Sequence, residues 1–153
     1  EDCRRQRQMC IRDRDKLILK HHENKGKIVG ICLGMQLLFD YGYEGGGSKG
    51  LSLINGEVTK INQIVRNERP IFGWKKINHI NKKLKKFDKP MYFVHSYEVN
   101  CIDKSNIESF YHYRDKEIVS SVRNKNVYGF QFHPERSAEH GLNLLSEVLK
   151  MNI

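Results

Sequence analysis

The segment GICLG at residues 30–34 constrains the fold more than any other part of the sequence. An apolar run at residues 27–31 suits a buried strand, and apolar helix-forming residues follow at positions 33–39. A nucleophile on a sharp strand-to-helix turn needs small residues two positions before and two positions after it, because larger side chains would collide. The pattern therefore predicts a nucleophile elbow with Cys32 at its tip.

Such a turn would give Cys32 the environment of an activated thiol. At a helix N-terminus, unpaired N–H groups and the helix dipole favour a thiolate. The backbone N–H of Leu33 would point at an oxyanion that develops beside the sulfur. The alternative is that Cys32 is a small buried hydrophobic residue, which is common for free cysteines.

A thiol nucleophile needs a base, and two histidines that follow apolar runs are candidates. His133 follows residues 128–132, and Pro134 ends that strand so that Glu135 can turn back towards the imidazole. His95 follows residues 92–94, and either histidine could instead be structural. The other histidines lie in polar or helical contexts and are predicted at the surface: His21, His22, His79, His112 and His140. No pair has zinc-ligand spacing, so we expect no metal.

The apolar pattern along the chain predicts a mixed α/β domain. Residues 16–23 indicate the end of a helix, and residues 42–50 a glycine-rich loop. Further runs have the composition of strands, at residues 51–54, 57–64, 74–77, 91–99, 118–122 and 127–132. A last amphipathic helix is predicted after a Ser137 cap, with an apolar face of Leu142, Leu145, Val148 and Leu149. Together these elements predict a three-layer α/β fold with a mixed sheet.

Composition excludes several classes of protein. The 153 residues suffice for one domain. The sequence contains neither a stretch of about 18 apolar residues nor a secretory signal. The net charge of +9 invites a nucleic-acid interpretation, but the densest basic run, at residues 82–86, lacks arginine and a stacking pattern. We therefore expect a solvated loop there. The four scattered cysteines favour reduced thiols and a cytoplasmic location.

The first fourteen residues, EDCRRQRQMCIRDR, differ from the rest of the chain. They are rich in arginine, whereas the remainder is rich in lysine, and they show no helical or strand periodicity. The string resembles translated adapter sequence. We expect residues 1–14 to be a non-native leader, with a native disordered tail as the alternative, and residues 15–153 to form the domain.

Two motifs lie far apart in the sequence, GICLGMQLL at residues 30–38 and GFQFHPE at residues 129–135. Together they resemble the class I (triad) glutamine amidotransferases. Within that family, Gly73-Trp74 and the segment YFVHSY at residues 92–97 resemble the glutaminase subunits of imidazole glycerol phosphate synthases. The similarity runs from about residue 16 to the C-terminus. The combination of spaced motifs is far more specific than any one of them.

The resemblance implies a flavodoxin-like α/β fold and a catalytic triad of Cys32, His133 and Glu135. It implies an oxyanion donor at Leu33 and, by position, a set of substrate-binding residues: Gln36, Glu44, His95, Ser96 and Tyr97. The implied reaction is hydrolysis of L-glutamine to glutamate and ammonia through a γ-glutamyl thioester, without a cofactor. The ammonia would pass to a HisF-like (β/α)₈ synthase subunit of a heterodimer in histidine biosynthesis.

The sequence departs from the family pattern in two places. The family has a first strand and a glycine-rich loop that donates a second oxyanion N–H, and no such loop is found upstream of Cys32. Losing one such donor costs on the order of 10²–10³ in rate. The segment IFGWK at residues 71–75 replaces the usual His and Asn around the Gly-Trp pair. Two alternatives therefore stay open. One is a paralogue or another class I amidotransferase of a surface-polysaccharide, anthranilate or guanylate pathway, and the other is an inactive truncated fragment.

Overall fold

The computed structural model describes the backbone of residues 2–62 and 70–151, and the side chains of this range from residue 13 onward. Three helices lie in it: α1 (Asp2–Glu23), α2 (Leu33–Gln36) and α3 (Ala138–Lys150). The strands are β1 (Ile28–Ile31), β2 (Tyr41–Gly42), β3 (Ser48–Lys49), β4 (Gly56–Lys60), β5 (Ile71–Lys76), β6 (Asn78–His79), β7 (Pro90–His95), β8 (Tyr97–Cys101), β9 (Ile107–Tyr113), β10 (Lys116–Asn124) and β11 (Val127–Phe130).

The strands form three sheets in the described part of the chain. The largest has the order β1-β11-β10-β9-β6, and its β1–β11 pair is parallel while its other neighbours are antiparallel. A second sheet has the order β3-β2-β4-β8, and β5 pairs with β7 as an antiparallel ribbon. The predicted mixed α/β fold is confirmed. The carboxyl ends of β1 and β11 lie side by side, so the residues that follow the two strands are neighbours.

Helix α2 packs directly onto the β1–β11 pair because two glycines face it. Gly30 and Gly129 are partners in the parallel register. A Cβ on Gly30 would lie 2.5 Å from the Gly34 carbonyl oxygen, and one on Gly129 would lie 2.7 Å from Met35 Cγ. Only residues without a side chain allow this approach. The glycine pair therefore fixes how closely α2 sits on the sheet.

Apolar burial is divided between two clusters of side chains. One joins β5, β7, β9 and β11 to α3 and is centred on Phe93, Tyr111 and Phe132, all fully buried. The other joins α2 to the second sheet and includes Met35 and Phe39. Burying side chains of this size contributes about 1.5–3 kcal/mol each. Helix α2 therefore packs into the second cluster, whereas α3 packs into the first.

The strand predictions hold for most of the sequence, with three corrections. The single strand predicted at residues 91–99 is two strands, β7 and β8, which belong to different sheets. Residues 51–54 form no strand, because their N–H groups bond to the carbonyls of residues 37–39 that follow α2, while Leu53 and Ile54 are buried there. Strand β9 was not predicted, although it pairs with both β10 and β6. Part of the predicted 57–64 strand lies outside the described residues.

Two side-chain predictions are wrong. On α3 the buried residues are Gly141, Leu144 and Val148, whereas Leu142 and Leu149 are about half exposed. His79 is buried and not at the surface, and its Nδ1 lies 2.8 Å from Asp88 Oδ1. The Asp88 carboxylate satisfies the buried imidazole, which is why a polar sequence context did not mean exposure.

Helix α1 contains residues 16–23, as predicted, and extends back to Asp2 through the segment predicted to be a leader. The non-native origin of residues 1–14 stays a prediction. Among the described helices, α1 included, none combines the length and apolar character that crossing a bilayer requires.

We predict opposite effects of alanine at the two glycines that flank Cys32. Gly30→Ala should lower the free energy of unfolding by about 1–3 kcal/mol, because the new Cβ would meet backbone atoms of α2. Gly34→Ala is the matched control, since open space surrounds that position. It should leave stability unchanged or raise it by up to about 1 kcal/mol through helix propensity. Urea unfolding measures both, and equal effects would contradict the packing described for α2.

Candidate active site

Cys32 occupies a strained turn between β1 and α2. Its backbone has φ 53° and ψ −109°, in the positive-φ range that non-glycine residues rarely adopt. The Cys32 N–H donates to the Phe130 carbonyl at 2.7 Å, and the Cys32 carbonyl accepts from Met35 N at 3.0 Å. The predicted elbow geometry is therefore present. Its requirement for a small residue holds at Gly30 but not at Gly34, where a Cβ would meet open space.

His133 and Glu135 lie at the carboxyl end of β11, beside the end of β1. The His133 Nδ1 is 2.7 Å from Glu135 Oε1, and the His133 N–H donates to the Tyr92 carbonyl at 2.9 Å. With a carboxylate accepting from Nδ1–H, the Nε2 atom is left as the proton acceptor. Pro134 starts a short 3₁₀ turn that brings Glu135 back towards the ring, as the sequence predicted.

Ser137 holds this turn in place. The sequence predicted a helix cap, and Ser137 does precede α3, but its side chain makes no capping hydrogen bond. Its fully buried hydroxyl instead donates to the His133 carbonyl at 2.6 Å and accepts from the Tyr92 N–H at 2.9 Å. The hydroxyl therefore ties the histidine backbone to β7.

The environment of the Cys32 sulfur favours the protonated thiol. Burial raises the pKa of Cys32, and the negative charges of Glu135 and Glu44 raise it further, against a lowering by the Leu33 N–H and the Gln131 amide. The thiol donates to the Val94 carbonyl at 3.6 Å, and Gln131 Nε2 donates to the sulfur at 3.8 Å.

Two consequences follow from that environment. The sequence led us to expect that the helix N-terminus favours a thiolate, and the Leu33 N–H does lower the pKa of Cys32, but burial outweighs it and α2 has only four residues. In the described part of the chain, no hydrogen bond joins the sulfur to His133. The thiol must therefore turn from the Val94 carbonyl to meet a base.

A cavity beside Cys32 holds several predicted site residues. Leu33, Gln36 and Glu44 line it together with residues of β3 and β4, and its volume is about 60 Å³. Gln36 Nε2 bonds to the Tyr97 carbonyl at 3.4 Å and to Gln131 Oε1 at 3.1 Å. The Gln36 side chain therefore connects the cavity to the interior behind Cys32.

The structure places the His95 imidazole in the core, away from this cavity. Its Nδ1 is 2.7 Å from the Tyr97 carbonyl and its Nε2 is 2.8 Å from the Tyr111 hydroxyl. Burial lowers the pKa of His95 to about 4, so it is neutral near pH 7. Of the two histidines proposed as bases, His95 has both ring nitrogens bonded within the core, whereas within the described part of the chain His133 Nε2 has no hydrogen bond. Ser96 and Tyr97 lie on the half-buried stretch that follows β7.

Sequence reasoning missed two residues of this site. Gln131 was read only as part of a strand, and Ser137 only as a cap. Gln131 sits two residues before His133, so its position next to a predicted catalytic residue was the available signal. Ser137 lies two residues after Glu135, which was a comparable signal, but its second partner, Tyr92, is distant in sequence.

The family of the chain follows from comparison with known proteins. The sequence profile described as "Glutamine amidotransferase class-I" matches residues 7–151, which is nearly the whole chain. The chain belongs to the class I glutamine amidotransferases.

Several proteins of similar sequence are the same subunit of one enzyme, imidazole glycerol phosphate synthase. The imidazole glycerol phosphate synthase subunit HisH of Pelagibacter ubique is 43% identical over 134 residues, covering 84% of this chain and 64% of that protein. HisH of Pyrococcus furiosus is 41% identical, and the match covers 84% of this chain and 67% of that protein. HisH of Thermotoga maritima is 38% identical, and the match covers 94% of this chain and 69% of that protein. The chain thus spans about two thirds of the length of these relatives.

Solved structures support the fold. The structure of PurLQS from Thermotoga maritima has a TM-score of 0.67 at 21% identity, covering 88% of this chain and 66% of that one. A crystal structure of a glutamine amidotransferase has a TM-score of 0.60 at 14% identity, covering 88% and 67%. At these identities the likeness concerns the fold alone.

We predict that Ser137→Ala destabilises the domain by about 1–3 kcal/mol, because the half-buried Tyr92 N–H loses its acceptor. Ser48→Ala is a suitable control, since Ser48 is exposed on β3 and should change stability by less than about 0.5 kcal/mol. Urea unfolding of both variants gives the comparison. A Ser137→Ala protein as stable as the parent would contradict the role of this hydroxyl.

Proposed function

We propose that the chain is the glutaminase part of an imidazole glycerol phosphate synthase and hydrolyses L-glutamine with Cys32, His133 and Glu135. The observation that carries the proposal is the arrangement at the ends of β1 and β11. A strained elbow presents the Cys32 sulfur, and the neighbouring strand end presents an imidazole whose Nδ1 bonds to a carboxylate. This is the nucleophile, base and orienting group of a triad. The similarity to HisH subunits supports the substrate.

The chemistry starts from the protonated thiol. His133 Nε2 takes the proton as the sulfur attacks the carboxamide carbon of glutamine, and Glu135 stabilises the imidazolium. The Leu33 N–H lies at the sulfur and supplies one donor for the oxyanion. The imidazolium returns the proton to the amine, the C–N bond breaks, and ammonia leaves. Water activated by His133 then cleaves the thioester and releases glutamate.

The cavity beside Cys32 is the proposed glutamine site. Its wall includes the Glu44 carboxylate, which is suited to the substrate ammonium, and the Gln36 side chain. The segment His95-Ser96-Tyr97 contributes through its backbone, because the His95 ring is occupied by the Tyr97 carbonyl and Tyr111. We propose binding roles for these residues on that basis.

The glycine-rich loop of the family, which no residues upstream of Cys32 match, is proposed to belong next to β1 and to supply the second oxyanion donor. Strand β1 is at the edge of its sheet in the described part of the chain, and an apolar groove lies beside it. The groove is lined by Leu17, Ile18, Gly34, Leu37 and Leu51 among others. An uncovered edge strand presents free N–H and C=O groups that a further strand can pair with. A loop at this edge would lie close to the Cys32 turn.

The β5–β7 ribbon carries exposed aromatic side chains on its outer surface. Phe72 and Trp74 point outward from β5, and each is at least half exposed. The ring centroids of Trp74 and Tyr92 are 5.9 Å apart, edge to face. The Arg136 guanidinium lies 4.5 Å from the Tyr92 ring centre. Aromatic residues and arginine are enriched at protein interfaces. We propose that this aromatic patch binds a HisF-like (β/α)₈ subunit, which would receive the ammonia in the cytoplasm.

Replacing the nucleophile tests the proposed function. With a purified HisF-type synthase subunit and L-glutamine, Cys32→Ala should lower glutamate release by at least about 10³-fold, because no thioester can form. Cys101→Ala is the control, since Cys101 is buried in the core and away from the cavity. Full activity of the Cys32→Ala protein would sink the assignment.

The partner surface has its own test. Trp74→Ala should weaken binding to the synthase subunit by at least about tenfold in isothermal titration, as truncation of an aromatic anchor commonly does. Ile102→Ala removes an exposed apolar side chain outside the patch and should leave the affinity unchanged. Equal affinities for the Trp74→Ala variant and the parent would place the interface elsewhere.

A further inference from the structure

A buried amide stands behind the Cys32 sulfur and is not part of the triad. The Gln131 side chain is fully buried at the end of β11. A buried amide must have partners for both its donor and its acceptor. Gln131 has one of each, because Nε2 donates to Cys32 Sγ at 3.8 Å and Oε1 accepts from Gln36 Nε2 at 3.1 Å.

The orientation of the Gln131 amide is fixed by a chain of hydrogen bonds that starts at a backbone carbonyl. The Tyr97 carbonyl can only accept, so the group of Gln36 that faces it must be the NH₂. An NH₂ has two donors, and the second one meets Gln131, which must then present its oxygen. The Gln131 NH₂ is left to face the sulfur. The Tyr97 carbonyl therefore determines, through Gln36, that a donor points at Cys32.

The Gln131 NH₂ group stabilises the thiolate form of Cys32 more than the thiol form. The thiol bonds to the Val94 carbonyl, which can accept from an S–H but repels a thiolate. The Gln131 NH₂ stabilises the anion in particular, because hydrogen bonds to a charged acceptor are stronger than neutral ones. When His133 Nε2 takes the proton, the S–H bond to Val94 is lost while the bond from Gln131 strengthens.

The other groups around the sulfur show why such a donor matters. Glu135 and Glu44 both disfavour a negative sulfur, and burial acts in the same direction. The Leu33 N–H and the Gln131 NH₂ oppose them. His133 becomes a cation only after it takes the proton. Before that step, polar donors are what favours the thiolate.

We propose that Gln131 stabilises the Cys32 thiolate, and that Gln36 is a positioning residue that orients the Gln131 amide from the Tyr97 carbonyl. This inference rests on the proposed function for its catalytic meaning. The effect on the sulfur itself can be measured without glutamine or a synthase subunit.

The experiment is the pH dependence of Cys32 alkylation by iodoacetamide, followed on the Cys32 peptide by mass spectrometry. Gln131→Met keeps the length of the side chain but removes the donor. It should raise the midpoint of the alkylation profile by up to about 1 pH unit, because the Gln131 bond is long and is one of several groups that act on the sulfur. Gln131→Glu places a carboxylate there and should raise it further. Gln36→Met does not touch the sulfur, and it should raise the midpoint by a smaller amount.

Controls separate this role from general loosening of the fold. Leu144→Ala removes a fully buried side chain of α3 and should lower stability without moving the midpoint. A midpoint within about 0.3 pH units of the parent for folded Gln131→Met would overturn the proposal. If that variant does not fold, an unchanged midpoint for the half-buried Gln36→Met overturns the orienting chain. A shifted midpoint together with full glutaminase activity of Cys32→Ala would instead refute the proposed function and leave this inference standing.

Discussion

The contact between α2 and the paired glycines Gly30 and Gly129 is the constraint on which the rest of the site depends. Because neither glycine has a Cβ, the backbone of α2 lies directly against β1, and Met35 lies against β11. Cys32 is the residue that joins β1 to α2, so the same contact holds the sulfur at the strand end. The strand under Met35 is also the one that leads to His133. One packing contact therefore sets the positions of both residues.

The electrostatics at the sulfur favour a resting thiol and a transient thiolate. Burial and two carboxylates raise the pKa of Cys32, so the proton stays on the sulfur until a base removes it. Glu135 has two opposing effects, because it orients His133 and also disfavours a negative sulfur. In the proposed reaction these effects are reconciled by proton transfer, since a His133 imidazolium would attract both the carboxylate and the thiolate. A buried site of this kind is unreactive until its proton acceptor is in place.

The sequence predicted the parts of this protein that depend on local pattern. The elbow at Cys32 and the turn at Pro134 follow from glycine, proline and strand periodicity over a few residues. Ser137 and His79 were misjudged because their roles depend on Tyr92 and Asp88, which tertiary structure brings to them. The buried face of α3 was predicted wrongly because its sequence offers two apolar faces that are offset by one residue. Packing against β7 and β9 buries the face that carries Leu144 and Val148. Residues 51–54 are apolar like a strand, yet they bond to the end of α2.

Strand β7 connects the outer surface to the nucleophile. Its Tyr92 ring belongs to the aromatic patch, while the Tyr92 carbonyl and N–H hold the His133 backbone and the Ser137 hydroxyl. Two residues further along, the Val94 carbonyl accepts from the Cys32 thiol. A strand is stiff over such a distance because its ladder to β5 fixes every residue from Ile71 to Lys76 against it. Any displacement of the ribbon by a bound subunit would therefore change the contacts of Cys32 and His133 together.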